Sequence, residues 1–99
     1  VSAPARVLLA AFETGTELAE VARALRDEGL EVIYAGVLGS AAEVLSAAEQ
    51  EDPALVAVSP ADPDGAIAAA GVEVVAFRTV QEGVDRVKMA TRPRSRPRR

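Results

Sequence analysis

The sequence predicts a doubly wound α/β domain, an open and mainly parallel sheet of about four strands in the order 2-1-3-4 with helices on both faces. Three observations predict it. Apolar runs without alternation, of the kind needed by strands buried on both faces, occur at residues 6–12 and 55–59. Between the apolar runs lie segments whose apolar residues recur at helical spacing behind capping residues. The connections are short, and no two-residue turn joins two apolar runs, so right-handed crossovers are expected in place of the hairpins that a split β-α-β unit would need.

Taken in order, Arg6-Val7-Leu8-Leu9-Ala10-Ala11-Phe12 is the first strand. Leu18, Val21, Ala22 and Leu25 then mark a helix that Gly29 stops, with Thr14 and Glu17 spaced as a capping box. Glu31-Val32-Ile33-Tyr34-Ala35-Gly36 is the second strand, its charged first residue and its tyrosine suggesting an edge. Ser40 and Glu43 open a second helix, with Ala41, Val44, Leu45 and Ala48 on one face and Pro53 beyond its acidic end. Leu55-Val56-Ala57-Val58-Ser59 is the third strand. Asp62 is placed to cap a short helix that has Pro63 in its first turn and runs no further than Ala70. Gly71 leads into a fourth strand over residues 72–77. A last helix starts near Thr79, whose spacing to Glu82 repeats the capping box, and carries Val80, Val84 and Val87 inward, with Gly83 weakening it slightly.

Composition narrows the chemistry. A chain of 99 residues suits one core. Apolar residues make up 49% but aromatic ones only 3%, so Val, Leu, Ile and Ala must fill it. The absence of cysteine removes disulfides and thiol nucleophiles and fits a reducing compartment, and the absence of histidine removes the usual general base and the commonest metal ligand. No apolar run approaches the ~20 residues that a membrane span requires, and residues 1–6 do not resemble an export signal, so a soluble cytoplasmic protein is expected. The net charge of −4 splits into +5 on residues 92–99 and −9 on residues 1–91. Residues 1–91 are therefore read as the domain and residues 92–99 as a disordered Arg/Pro tail.

Laid out in this order, the chain resembles the cobalamin-binding domain of the methylmalonyl-CoA mutase family, a flavodoxin-like module. Residues 4–10 look like its opening strand, and residues 22–32 are similar to its passage from helix to second strand. Residues 42–45, 55–59, 69–77 and 84–87 fall where that family has its later elements. The family's Asp-x-His-x-x-Gly motif would fall on Phe12, Thr14 and Glu17, and none of the three matches. Of its Ser-x-Leu element, Ser59 fits and Ala61 replaces the leucine, while the paired glycines have no counterpart. The chain is also shortened by about a helix and a strand after Pro60. The resemblance thus implies a degenerate copy without His-on cobalamin binding and with no other cofactor expected. Its implied role is non-catalytic, that of an accessory or structural subunit associating with a protein partner such as an acyl-CoA mutase.

In open parallel sheets ligands sit beyond the carboxyl ends of the strands. The candidate ligand-binding residues at that edge are Glu13, Thr14, Gly15, Thr16, Ser40, Ser59, Asp62, Arg78 and Thr79. Helix N-termini there attract anions, so an alternative function is a sensor or carrier for a nucleotide or CoA-like phosphate. The ordinary role of the same hydroxyls is helix capping. Glu13 and Asp62 could pair around Mg²⁺ as in phosphoryl-receiver domains, but Ser59 and Arg78 stand where those domains need Asp and Lys. An enzyme would have to draw on Glu13, Asp62, Arg78 and Lys88, which show no diagnostic spacing. Arg92, Arg94, Arg96, Arg98 and Arg99 are candidate contacts to an acidic partner or phosphate; without interleaved aromatics, specific nucleic-acid binding is not expected. The short third helix should leave one sheet face and the last strand's edge thinly covered, which predicts a homo- or hetero-oligomer.

Overall fold

The computed structural model describes residues 4–14 and 17–91. It is an α/β structure with four parallel strands, β1 (Arg6–Ala11), β2 (Glu31–Val37), β3 (Leu55–Ser59) and β4 (Val74–Ala76), in the order β2-β1-β3-β4. Four helices connect and follow them: α1 (Leu18–Asp27), α2 (Ala41–Glu51), α3 (Ala66–Ala69) and α4 (Val80–Thr91). The architecture is consistent with a flavodoxin-like fold.

The two inner strands explain the layering. All of β3 and every residue of β1 after Arg6 are buried, so side chains leave in both directions and each direction needs a helical cover. Val7, Leu9, Ala11, Leu55 and Ala57 point to one side, where α1 brings Leu18, Val21, Ala22 and Leu25 and α4 brings Val87. Leu8, Ala10, Val56 and Val58 point to the other, against Val44 and Ala48 of α2 and Ile67 of α3.

The end of α1 is a Schellman closure. Leu30 N–H donates to Leu25 O and Gly29 N–H to Arg26 O, with Gly29 at φ +91°, a left-handed value open to glycine without strain. Its start departs from the expected capping box. Thr14 lies in a turn before the helix, the N-cap position is Glu17, and no side chain caps it.

Two other boundaries differ from expectation. The fourth strand is three residues long, not six, because β3 offers it a ladder only between the bonds Val56 N–H to Glu73 O and Phe77 N–H to Val58 O. The short helix is preceded by a 3-10 turn, Pro63–Gly65, in which Asp64 and Gly65 both take positive φ. Asp62 therefore caps later than expected: its carboxylate accepts from Ile67 N–H and Ala68 N–H, each at 2.9 Å.

Both outer edges of the sheet are covered by arginines. The bonds of Glu73 O and Phe77 N–H to β3 leave the backbone groups of Val74 and Ala76 facing the open edge, and Arg86 donates to Ala76 O at 2.7 Å. Arg26 donates to Val32 O on β2 at 3.4 Å, and β2 also bulges at Ala35, between the pairs Leu9–Tyr34 and Ala10–Gly36. Guanidiniums and bulges are ordinary means of blunting a strand edge. The last strand's edge is thus less open than the sequence suggested.

Gly83 has a packing reason that the sequence did not reveal. It is buried in α4, and a Cβ there would stand 2.9 Å from Cδ2 of Phe77, itself fully buried. In an exposed helix Gly→Ala gains about 1 kcal/mol. Here the methyl must displace a core ring, so Gly83→Ala is expected to cost about 1–3 kcal/mol. Urea titration should show a lower midpoint at unchanged slope, and a raised midpoint would mean that the ring gives way freely.

Candidate functional site

The carboxyl ends of the strands open into four loops, which is where the sequence placed the candidate site. Glu13 and Thr14 are exposed in the turn after β1. Gly15 and Thr16 lie outside the described residues. Ser40 follows β2, Ser59 closes β3, Asp62 follows it, and Arg78 and Thr79 follow β4. Topology therefore gathers Glu13, Thr14, Ser40, Ser59, Asp62, Arg78 and Thr79 along one edge.

Most of the polar groups there serve the protein's own backbone. Ser40 Oγ accepts from Glu43 N–H at 3.3 Å, and Thr79 Oγ1 accepts from Glu82 N–H at 3.0 Å. The partner glutamates complete each cap, but one residue earlier than in the usual box. Glu43 accepts from Gly39 N–H at 3.1 Å, and Glu82 from Arg78 N–H at 2.7 Å. Asp62 uses both carboxylate oxygens on α3. Ser59 is 1% exposed, and its carbonyl accepts from Phe12 N–H at 2.9 Å.

These bonds carry electrostatic consequences. A helix N-terminus favours negative charge, and at α2 and α4 Glu43 and Glu82 already supply it. A phosphate approaching either would meet a carboxylate in place. The hydrogen bond from Arg78 N–H is the largest cause holding Glu82 below the ordinary glutamate value of 4.5, helped by Arg86 and opposed by desolvation. The Glu82–Arg86 pair, 3.5 Å apart on successive turns, also orients the guanidinium that reaches Ala76 O.

Measured against the resemblance, the edge does not fit a His-on corrinoid. Thr14, where the ligating imidazole would stand, is an exposed hydroxyl residue; Phe12 is half-buried and packs on the α2 side of the core. A Mg²⁺ site at Glu13 and Asp62 is equally ill served, because Asp62 already accepts two backbone N–H groups. Among the described residues, no group of three or more acidic side chains is placed to hold a metal ion. Lys88 is not at this edge: it pairs with Glu28 at 3.5 Å, at the C-terminal ends of α4 and α1. The five tail arginines lie outside the described residues.

Three surface hollows are lined by described residues. One is between α2 and β2, one is formed by Val75 with the last turns of α4, and one is at the amino edge of the sheet, between the C-terminal ends of α2 and α3. Among the described residues, no helix is long and apolar enough to cross a membrane. Comparison with protein-family models and with curated proteins finds no match for this chain.

Two measurements check the capping account. Thr79→Ala should lose about 1 kcal/mol of stability, as cap removal generally does, with Ser40→Ala similar; an unchanged denaturation midpoint would count against it. Because the folded pKa of Glu82 is depressed, its contribution is present above its unfolded value near 4.5 and is lost as pH falls through the lower folded value. Glu82→Gln should therefore weaken the protein at neutral pH, and the two proteins' stabilities should converge in acid; a constant difference down to low pH would overturn this.

Proposed function

We propose that this domain is a non-catalytic accessory or structural module that works by protein association, with an acyl-CoA mutase or related enzyme as the partner suggested by its resemblance. One observation carries the reading. At the edge where an open parallel sheet normally binds its ligand, Ser40, Thr79, Asp62, Glu43 and Glu82 are all engaged with backbone amides of their own loops and helices. A catalytic or ligand-binding edge keeps such groups aimed at the place where substrate will sit.

Surface apolar residues support association more than ligand binding. Tyr34 and Val37 of β2 are 49% and 53% exposed, and Met89 of α4 is 68% exposed. The arginines at both sheet edges oppose simple strand addition, so the contacts of this reading run through helix and sheet faces.

The test is reconstitution. The chain is mixed with the catalytic subunits of an acyl-CoA mutase from its own host and examined by sedimentation velocity. A complex of fixed ratio is the expected outcome. Failure to associate, together with thermal stabilisation by a CoA ester or nucleotide, would replace this reading with that of a phosphate-ligand sensor.

A further inference from the structure

The outer flank of α4 combines apolar surface with both signs of charge. Lys88 turns toward α1, where it pairs with Glu28 at 3.5 Å, and Arg86 turns toward β4, where it donates to Ala76 O. On the β4 side, Val75, Asp85, Arg86, Met89 and Ala90 line one hollow. Val75 is half-buried, whereas Ala90 is exposed and Met89 is 68% exposed. Apolar surface gathered in one place favours contact over solvent. The bond from Arg86 to Ala76 O keeps β4 from extending the sheet, so a contact here is made by side chains.

Charge selects the occupant. Among the described residues, the two hollows beside α2 have five carboxylates in their linings and neither Lys nor Arg, so a second copy meeting itself there would bring like charges together. The α4 hollow instead carries one acid and one base on adjacent residues, a surface complementary to itself. In a two-fold contact residue i meets j and j meets i, so Asp85 of each copy can face Arg86 of the other. Both side chains are already steadied: Asp85 accepts from Gln81 at 3.0 Å, and Arg86 holds Ala76 O and Glu82. A guanidinium has five N–H groups and a carboxylate two oxygens, so each keeps capacity for a partner, and a fixed side chain loses little entropy in pairing. We infer that a second copy of this chain docks on the α4–β4 flank in a two-fold contact, burying Val75, Met89 and Ala90 of both copies and pairing Asp85 with Arg86 reciprocally. Apolar burial, with the adaptable Met89 thioether at its centre, supplies the affinity, and the charges set the orientation. A contact of this small, mixed kind belongs to the weak class. It needs no other protein and so stands apart from the proposed association with an enzyme.

Sedimentation equilibrium of the full chain tests this up to about 1 mM, where even a millimolar contact populates a dimer. The mass should rise reversibly from that of one chain toward that of two. Met89→Lys replaces an exposed side chain with one of similar helix propensity, so it should weaken the dimer by about tenfold or more without lowering the denaturation midpoint. Asp85→Arg and Arg86→Asp should each weaken it as well, because the two-fold contact then opposes like charges. An equimolar mixture of those two variants should associate more tightly than either alone, since each mismatch is corrected across the interface. Arg86→Asp also removes the bond to Ala76 O; if that variant does not fold, Met89→Lys and Asp85→Arg decide the matter. A chain that stays monomeric throughout, an association that Met89→Lys leaves untouched, or a mixture no tighter than its components would each overturn the inference.

Discussion

Everything else in this structure depends on β1 and β3 having no solvent-facing side. Two adjacent parallel strands buried on both faces cannot exist without helices above and below. Leu8 and Leu9, neighbours in sequence, lie in two different cores, one closed by α2 and α3 and the other by α1 and α4. The outer strands are only half-covered, and there polar devices replace packing: a bulge and Arg26 at β2, Arg86 at β4.

The same economy governs the loops. Each crossover brings a helix N-terminus to the carboxyl edge, and these termini leave backbone N–H groups that need partners. Ser40 with Glu43, Thr79 with Glu82, and Asp62 meet that need from within the chain. Ser40, Asp62 and Thr79, which looked like part of a site in sequence, are thus used to hold the scaffold. That is why function shifts, in our reading, to surfaces and to charge. Among the described residues, Glu49, Asp52 and Glu73 line one hollow at the opposite edge, where α2 and α3 end.

Much of the fold was legible because it rests on local patterns. The unbroken apolar runs of β1 and β3, the helical spacing of Leu18, Val21, Ala22 and Leu25, and the Ser40 and Thr79 caps each lie within a few residues of one another. Legibility ended where distant segments met. Thr14 looked like a cap, but α1 begins at Leu18 with Glu17 at the N-cap position and no side-chain cap. Gly83 looked like a weak point, and only the ring of Phe77, on a different element, explains it. Neither edge arginine could have been found from spacing, although Glu82 and Arg86 show one step of the path.

By itself the sequence determined the class of the protein: strand and helix order, the parallel sheet, the charge division between body and tail, and the absence of thiol and imidazole chemistry. These follow from side-chain type and short-range periodicity, which the chain carries wherever it goes. The tertiary structure alone decided which polar groups are engaged among the described residues and which share a surface. Asp62 bonds to α3 across two left-handed residues, Arg6 joins Glu31 and Glu51, and Glu49, Asp52 and Glu73 share one hollow. Hydrogen bonds and ion pairs depend on distances of a few ångströms between segments far apart in sequence, and only the folded chain sets those distances.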